Sequence, residues 1–286
     1  HLTLKKKRVF VHYDVTLGKR FPIKDVIVTL PEEGTFAQDY LADTSATLIR
    51  VGDYLSEDIL EKETVRATAV MNRKGYYDFN KHHFFFEADT LSTPGAAILK
   101  MDIMNYTRNE SPEEATPIRK FFFNDVTISY PQTMDIKTKV LTELNTIKPG
   151  DLYSPDIVSN TYSRLSALRM FSSVNIGLTQ ADTNKVNCNI NLSQSKVQGF
   201  KINLEASTNS TGLFGVSPQV SYYHKNIFRG GEWLNLSFMG NFQFKFNDNI
   251  RSNEFGIAAG LSFPRFLLLP YRLFKQVVPR TEVNLS

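Results

Sequence analysis

The chain has 286 residues, of which 42% are hydrophobic, 22% charged and 12% aromatic. That length exceeds what one average domain needs, and the composition excludes wholesale disorder. A formal net charge of +4 is too mild to imply nucleic acid, and a lone Cys188 excludes an internal disulfide. No stretch approaches the ~18 uninterrupted apolar residues of a membrane-crossing helix. Transmembrane barrel strands pass that filter unseen, because they are short and only alternately apolar. His1 begins directly in a polar–apolar mixture with no hydrophobic targeting run, so any export signal is expected ahead of it.

The first zone covers residues 1–105. The basic run Lys5-Lys6-Lys7-Arg8 reads as a solvated lead-in to a strand at Arg8–Tyr13, and Lys24–Leu30 reads as a second strand. A helix is expected over Ser56–Arg73, with Ser56 as cap and Glu57 and Asp58 in its first turn. Gly75 ends it. Tyr76-Tyr77 leads into a strand at His82–Glu87, and Pro94-Gly95 turns the chain into another at Ala97–Met104. Residues 106–118 are polar, carry Pro112 and Pro117, and read as a linker.

The second zone, residues 119–195, repeats that order. A strand at Phe121–Tyr130 precedes a turn at Pro131. Ser154 and Pro155 have the chemistry of an N-cap and first helical residue, and Ile157, Thr161, Leu165 and Leu168 share one helical face. Strands follow at Phe171–Ile176 and Lys185–Ser193, the latter with Val186, Cys188, Ile190 and Leu192 alternating inward. The run Gly52-Asp53-Tyr54-Leu55-Ser56-Glu57-Asp58-Ile59 lines up with Gly150-Asp151-Leu152-Tyr153-Ser154-Pro155-Asp156-Ile157. Matching order on both sides of that run points to an internal duplication.

From residue 196 to 286 the alternation becomes nearly strict. Phe200, Ile202, Leu204 and Ala206 alternate with Lys201, Asn203, Glu205 and Ser207. Val216, Pro218, Val220 and Tyr222 form a second such face, Leu234 to Phe246 a third, and Phe255 to Phe263 a fourth. Turn-rich segments separate them at Asn209–Gly212, Arg229-Gly230-Gly231 and Asn247–Asn249. A strand as long as Leu234–Phe246 crosses a bilayer at the usual tilt, where ~9–11 residues suffice. Its uncharged, Phe-rich face favours a transmembrane barrel over a soluble sandwich. Four such strands and the start of a fifth at Thr281–Ser286 cannot close a barrel, so the expectation is that the native chain continues past Ser286.

Pro149-Gly150-Asp151-Leu152-Tyr153, then Leu165, Leu168 and Phe171-Ser172-Ser173-Val174, resemble the last POTRA module of the BamA/TamA family of outer-membrane assembly factors. Asn226-Ile227-Phe228-Arg229-Gly230-Gly231-Glu232 resembles that family's turn between early barrel strands, and Phe263-Pro264-Arg265 with the proline-rich stretch to Pro279 is most similar to the TamA-like branch of Bacteroidota. The resemblance implies an α+β fold of strand–helix–helix–strand–strand modules, followed by antiparallel strands opening a barrel of about 16 strands. It implies modules in the periplasm, a barrel in the outer-membrane lipid, and unfolded outer-membrane proteins as clients. Periplasmic or inner-membrane accessory subunits would be further partners, with no cofactor, metal or nucleic acid. Its motif residues would be Gly150, Tyr153, Leu165, Leu168, Phe171 and Val174 in the module, and Asn226, Phe228, Gly230, Gly231 and Glu232 in the turn. The client-binding lateral seam would run along the first barrel strand, through Phe200, Lys201, Ile202, Asn203, Leu204 and Glu205.

No enzyme motif competes: Gly-x-Ser-x-Gly, the P-loop and the dinucleotide fingerprint are all missing from the sequence. His82-His83 would point to opposite faces of a strand and cannot jointly grip a metal. Glu110, Glu113 and Glu114 lack a Gly-centred ligand loop. Two other functions remain open: a two-partner secretion pore exporting one dedicated partner, and a soluble periplasmic binding protein whose third zone is a β-sandwich.

Overall fold

A computed structural model describes residues 2–5, 8–11, 13, 18–105, 116–208, 212–245, 248–267 and 279–286. The chain divides into two compact units, His1–Arg119 and Lys120–Ser286.

In the first unit β3 (Ile23–Thr29) lies parallel to β5 (Ala97–Ile103), and β4 (Phe84–Asp89) runs antiparallel on the other side of β5. α1 (Phe36–Leu41) and the 17-residue α2 (Glu57–Arg73) pack against this sheet. α2 starts where the sequence places it, because the Ser56 hydroxyl accepts the Ile59 N–H. α1 is only six residues long and was not legible beforehand. So short a helix draws its stability from tertiary contact rather than from propensity. Here the contact is Phe36, whose ring meets Tyr76 edge-on at 5.1 Å and Phe79 at 4.9 Å. The expected strand at Arg8–Tyr13 is the shorter β2 (Arg8–Val11), which pairs with β1 (Leu2–Lys5) as a separate hairpin. The strand expected from His82 begins two residues later. Asn80 accepts the His82 N–H and closes a 3-10 turn over Lys81–His83, which leaves His82 exposed and buries His83. Ile118, assigned to the linker, joins the buried core of this unit.

The second unit opens with the same module. β6 (Phe122–Ser129) is parallel to β8 (Lys185–Gln194), and β7 (Phe171–Asp182) is antiparallel to β8 on its other side. α3 (Thr138–Leu144) and α4 (Pro155–Ser166) complete it. The duplication reappears bond for bond. Gly52 N–H donates to Ile23 and Gly150 N–H to Phe123; Ile23 N–H donates to Asp53 and Phe123 N–H to Asp151; Leu55 N–H donates to Phe21 and Tyr153 N–H to Phe121, all at 2.7–2.9 Å. Both glycines hold positive φ, +97° and +88°, which a side chain would strain. Even the buried acceptor on the long helix recurs. Glu63 accepts the Leu48 N–H at 2.8 Å, and Thr161 accepts the Thr146 N–H at 3.0 Å. The Glu63 carboxylate is fully buried and offset by Arg66, whose guanidinium also reaches Asp43. The expected inward row is buried in β8, and burial pushes the Cys188 thiol up to about 11.

β8 passes through three residues into β9 (Gln198–Thr208), the edge of a five-stranded antiparallel sheet ordered β13–β12–β11–β10–β9. β10 spans Leu213–His224, β11 Trp233–Lys245, β12 Asp248–Phe263 and β13 Thr281–Leu285. Register aligns Phe200 with Tyr222, Ile202 with Val220, Val220 with Phe238, Phe238 with Ile257 and Leu261 with Val283, so one face of the sheet is apolar throughout its middle. That face is bare: Ile202 is 75% exposed, Ile257 72% and Phe255 66%. A sandwich would bury such a face against a second sheet, and none covers it among the described residues. Of the turn expected at Asn247–Asn249, Asn247 lies outside the described residues, and Asp248 pairs with Lys245. The strand face expected from Phe255 begins earlier, since backbone pairing carries β12 from Asp248. Phe246 falls outside the described residues.

His83 makes the first module acid-sensitive. Desolvation by burial pulls its imidazole below the ordinary 6.5. The unfolded chain therefore binds a proton that the folded one resists, and stability falls as pH drops below about 6.5. Hydrogen exchange of α2 and β5 amides should show protection declining from about pH 6.5 downward, and a His83→Phe variant, stacked on Phe79, should lose most of that dependence.

Candidate functional site

Among the strand edges of the second unit, those of β7 and β9 carry the expected sites, and the β10–β11 turn forms an elaborate joint. The first edge belongs to β7. Among the described residues it pairs only with β8, and its outer edge borders a groove of about 410 Å³. Tyr153, Pro155, Val158 and Tyr162 of the α4 side and Val174 and Ile176 of β7 supply its apolar lining. Pro155 at the first turn aims α4 along the strand, and the four-residue spacing from Val158 to Tyr162 keeps both on the groove side.

The module motif residues support this groove rather than forming one pocket. Gly150 makes the turn, Tyr153 is buried against Phe123 with ring centroids at 5.9 Å, and Leu165 and Leu168 lie in the core. Phe171 begins β7, and Val174 reaches the groove.

The second edge belongs to β9. It is paired with β10 without a break from Gln198↔His224 to Thr208↔Phe214, so its hold on that neighbour is complete. The opposite edge has no partner among the described residues. Phe200, Ile202 and Leu204 stand on the bare apolar face. Lys201 and Asn203 line a polar basin of about 570 Å³ on the other face, while Glu205 is exposed.

The joint is the β10–β11 turn, residues 226–232. Glu232 is 3% exposed, and its carboxylate accepts the N–H of Gly230 at 2.9 Å and of Phe228 at 3.2 Å. Asn226, also buried, accepts the Gly231 N–H at 2.9 Å and donates to the Asp135 carbonyl at 2.6 Å. Arg229 takes a left-handed conformation (φ 65°), offers its carbonyl to the Lys137 N–H at 2.9 Å and pairs with the Asp135 carboxylate. Gly231, at φ +79°, has Leu168 of the module against it; a Cβ there would lie 2.7 Å from the Leu168 side chain. Phe228 alone of the turn motif points outward, 53% exposed. Beside the turn, the Arg169 guanidinium sits 3.5 Å over the Trp233 ring, whose buried indole N–H has no partner. Burial, then the nearby Arg280, lowers the affinity of Arg169 for its proton.

The structure thus brings two independently expected motifs together at Leu168 and Gly231. The β9 residues join neither. Asp135, Lys137, Arg169 and Trp233 were not expected at a site. Asp135 and Lys137 lie in an ordinary post-proline loop, and only the geometry of the partner turn reveals their use.

Gly231→Ala should destabilise this unit by about 2 kcal/mol, combining a left-handed strain with the clash on Leu168. Leu168→Ala alone costs about 3 kcal/mol as a core truncation. The double variant should cost less than the sum, and a double-mutant cycle from urea unfolding reads that coupling.

No family profile and no curated protein sequence matches the chain. Among solved structures, BamA from Haemophilus ducreyi lacking POTRA domains 1–3 superposes with a TM-score of 0.51 at 10% identity, over 85% of this chain and 48% of that one. CdiB from Acinetobacter baumannii gives 0.44 at 13% identity, covering 91% and 44%. BamA POTRA3–5 from Haemophilus influenzae gives 0.46 at 13%, covering 68% and 70%. The chain spans about half the length of the first of these. It has the α+β fold of POTRA modules leading into antiparallel strands of an outer-membrane β-barrel.

Proposed function

We propose that this chain belongs to an outer-membrane assembly or translocation factor of the BamA/TamA type, its modules in the periplasm and its five-stranded sheet in the lipid. Unfolded outer-membrane proteins are its clients, and they pair first with a module edge and later with the barrel edge β9. Accessory periplasmic or inner-membrane subunits would deliver or drive them, and the TamA-like branch of Bacteroidota is the closer type.

The observation that carries this reading is the β7 edge beside its apolar groove, in the same unit as a sheet with a lipid-compatible face. Strand addition uses main-chain hydrogen bonds, which every client possesses whatever its sequence, and the groove adds a pocket for alternate apolar side chains. Such recognition suits many clients of alternating pattern better than one dedicated partner. The uncharged outer face of Phe200, Ile202, Leu236, Phe238, Phe255 and Ile257 belongs in hydrocarbon, where a charge near the midplane would cost about 2–4 kcal/mol. The unpaired β9 edge cannot remain so in that medium, since unsatisfied backbone groups there cost several kcal/mol each. In a closed barrel of about 16 strands a further strand of the same protein meets that edge, and a client strand enters at the seam between them.

A photo-crosslinking residue at Tyr162 should capture an unfolded barrel client, whereas one at the equally exposed Val65 of α2 should not. Equal capture from both positions refutes the groove. Depletion of the protein should lower many unrelated barrel proteins together; loss of a single exported protein would establish the secretion-pore reading instead.

A further inference from the structure

We propose that the β10–β11 turn is an orientation lock that fixes the second module, with its free β7 edge, at one angle to the barrel sheet, and that Glu232 is its positioning residue. The locking part stands on geometry alone, and the positioning of clients rests on the function proposed above.

A hairpin turn that merely reversed the chain would leave its polar groups in water. This one buries a carboxylate and an amide, and spends both on holding a shape that reaches beyond itself. Glu232 gathers the N–H groups of Phe228 and Gly230 inward, which forces Arg229 into its left-handed conformation. That conformation turns the Arg229 carbonyl toward the Lys137 N–H and its guanidinium toward Asp135. Asn226 ties the same turn to the Asp135 carbonyl while holding Gly231, whose bare Cα admits Leu168. None of these outward bonds would be needed for the turn to close.

The grip comes from three separate places on the module. The first is the loop at 135–137, and the second is the end of α4 at Leu168. The third is the short connection after β8, where Lys225 N–H donates to Val197 and the Lys225 ammonium donates to Ser195. One point of contact allows rotation in every direction, and two still allow a hinge. A third contact restrains that hinge as well. The buried carboxylate is the member that the others depend on, because without it the Phe228 and Gly230 N–H groups have no acceptor and the turn has no reason to keep its shape.

Nitroxide labels at exposed Thr179 of β7 and Ile257 of β12, with Cys188→Ser to leave no other thiol, measure the angle as a distance distribution in the protein reconstituted in lipid vesicles. The unaltered turn should give one narrow distribution. Glu232→Gln and, independently, Asn226→Ala should each widen it at least twofold with strand content by circular dichroism unchanged. Insertion of an eight-stranded client barrel into the same vesicles should slow about tenfold in both variants. Distributions that stay narrow in both variants overturn the lock. Widened distributions with undiminished client insertion overturn the positioning role. If the unaltered protein inserts no client, the proposed function fails while the width comparison still decides the lock.

Discussion

Every backbone N–H and C=O needs a partner, and the medium decides how urgent that need is. In water an unpaired strand edge is affordable, because solvent fills the vacant positions. In hydrocarbon it is not. The second unit places one edge in each setting: β7 beside a groove on a water-facing module, and β9 at the border of a sheet whose outer face is apolar. On the proposed function, a client chain moving from the first edge to the second would trade water for protein partners at each step.

Between those edges the connections are short and hydrogen-bonded. Three residues separate β8 from β9, and the turn at 226–232 grips the module from the far side of the next hairpin. Of the polar groups that do this, Glu232 and Asn226 are buried and satisfied, while the Arg229–Asp135 pair lies at the surface. Buried, fully satisfied polar clusters specify one arrangement, because any other leaves a donor or acceptor stranded.

Much of this was legible before the coordinates. Period-2 alternation located β9 and β11 nearly to the residue, and Ser56 and Ser154 marked the starts of both long helices. The duplication was visible in one run of eight residues because capping and positive φ restrict residue choice at Gly52 and Gly150. What escaped has physical reasons as well. α1 is held by Phe36 against the distant rings of Tyr76 and Phe79 and by the Tyr40 hydroxyl, which donates to the Met101 sulfur, and nothing local signals it. The first seven residues of β12 include Ile250 as their sole apolar residue, so alternation fails there while pairing with β11 persists. For the site, the turn motif stood out by composition, but its docking partners on the 135–137 loop did not, since a backbone carbonyl or N–H can come from any residue type.

That last fact reaches further. The frame that defines each module consists of matched main-chain bonds, three in each copy, with a glycine as the sole side-chain demand. The buried acceptor on the long helix is a glutamate in one module and a threonine in the other. Architecture written in main-chain bonds leaves selection free to overwrite most of the letters while the shape stays put. Such latitude is compatible with a backbone that superposes on a structure with 10% identity.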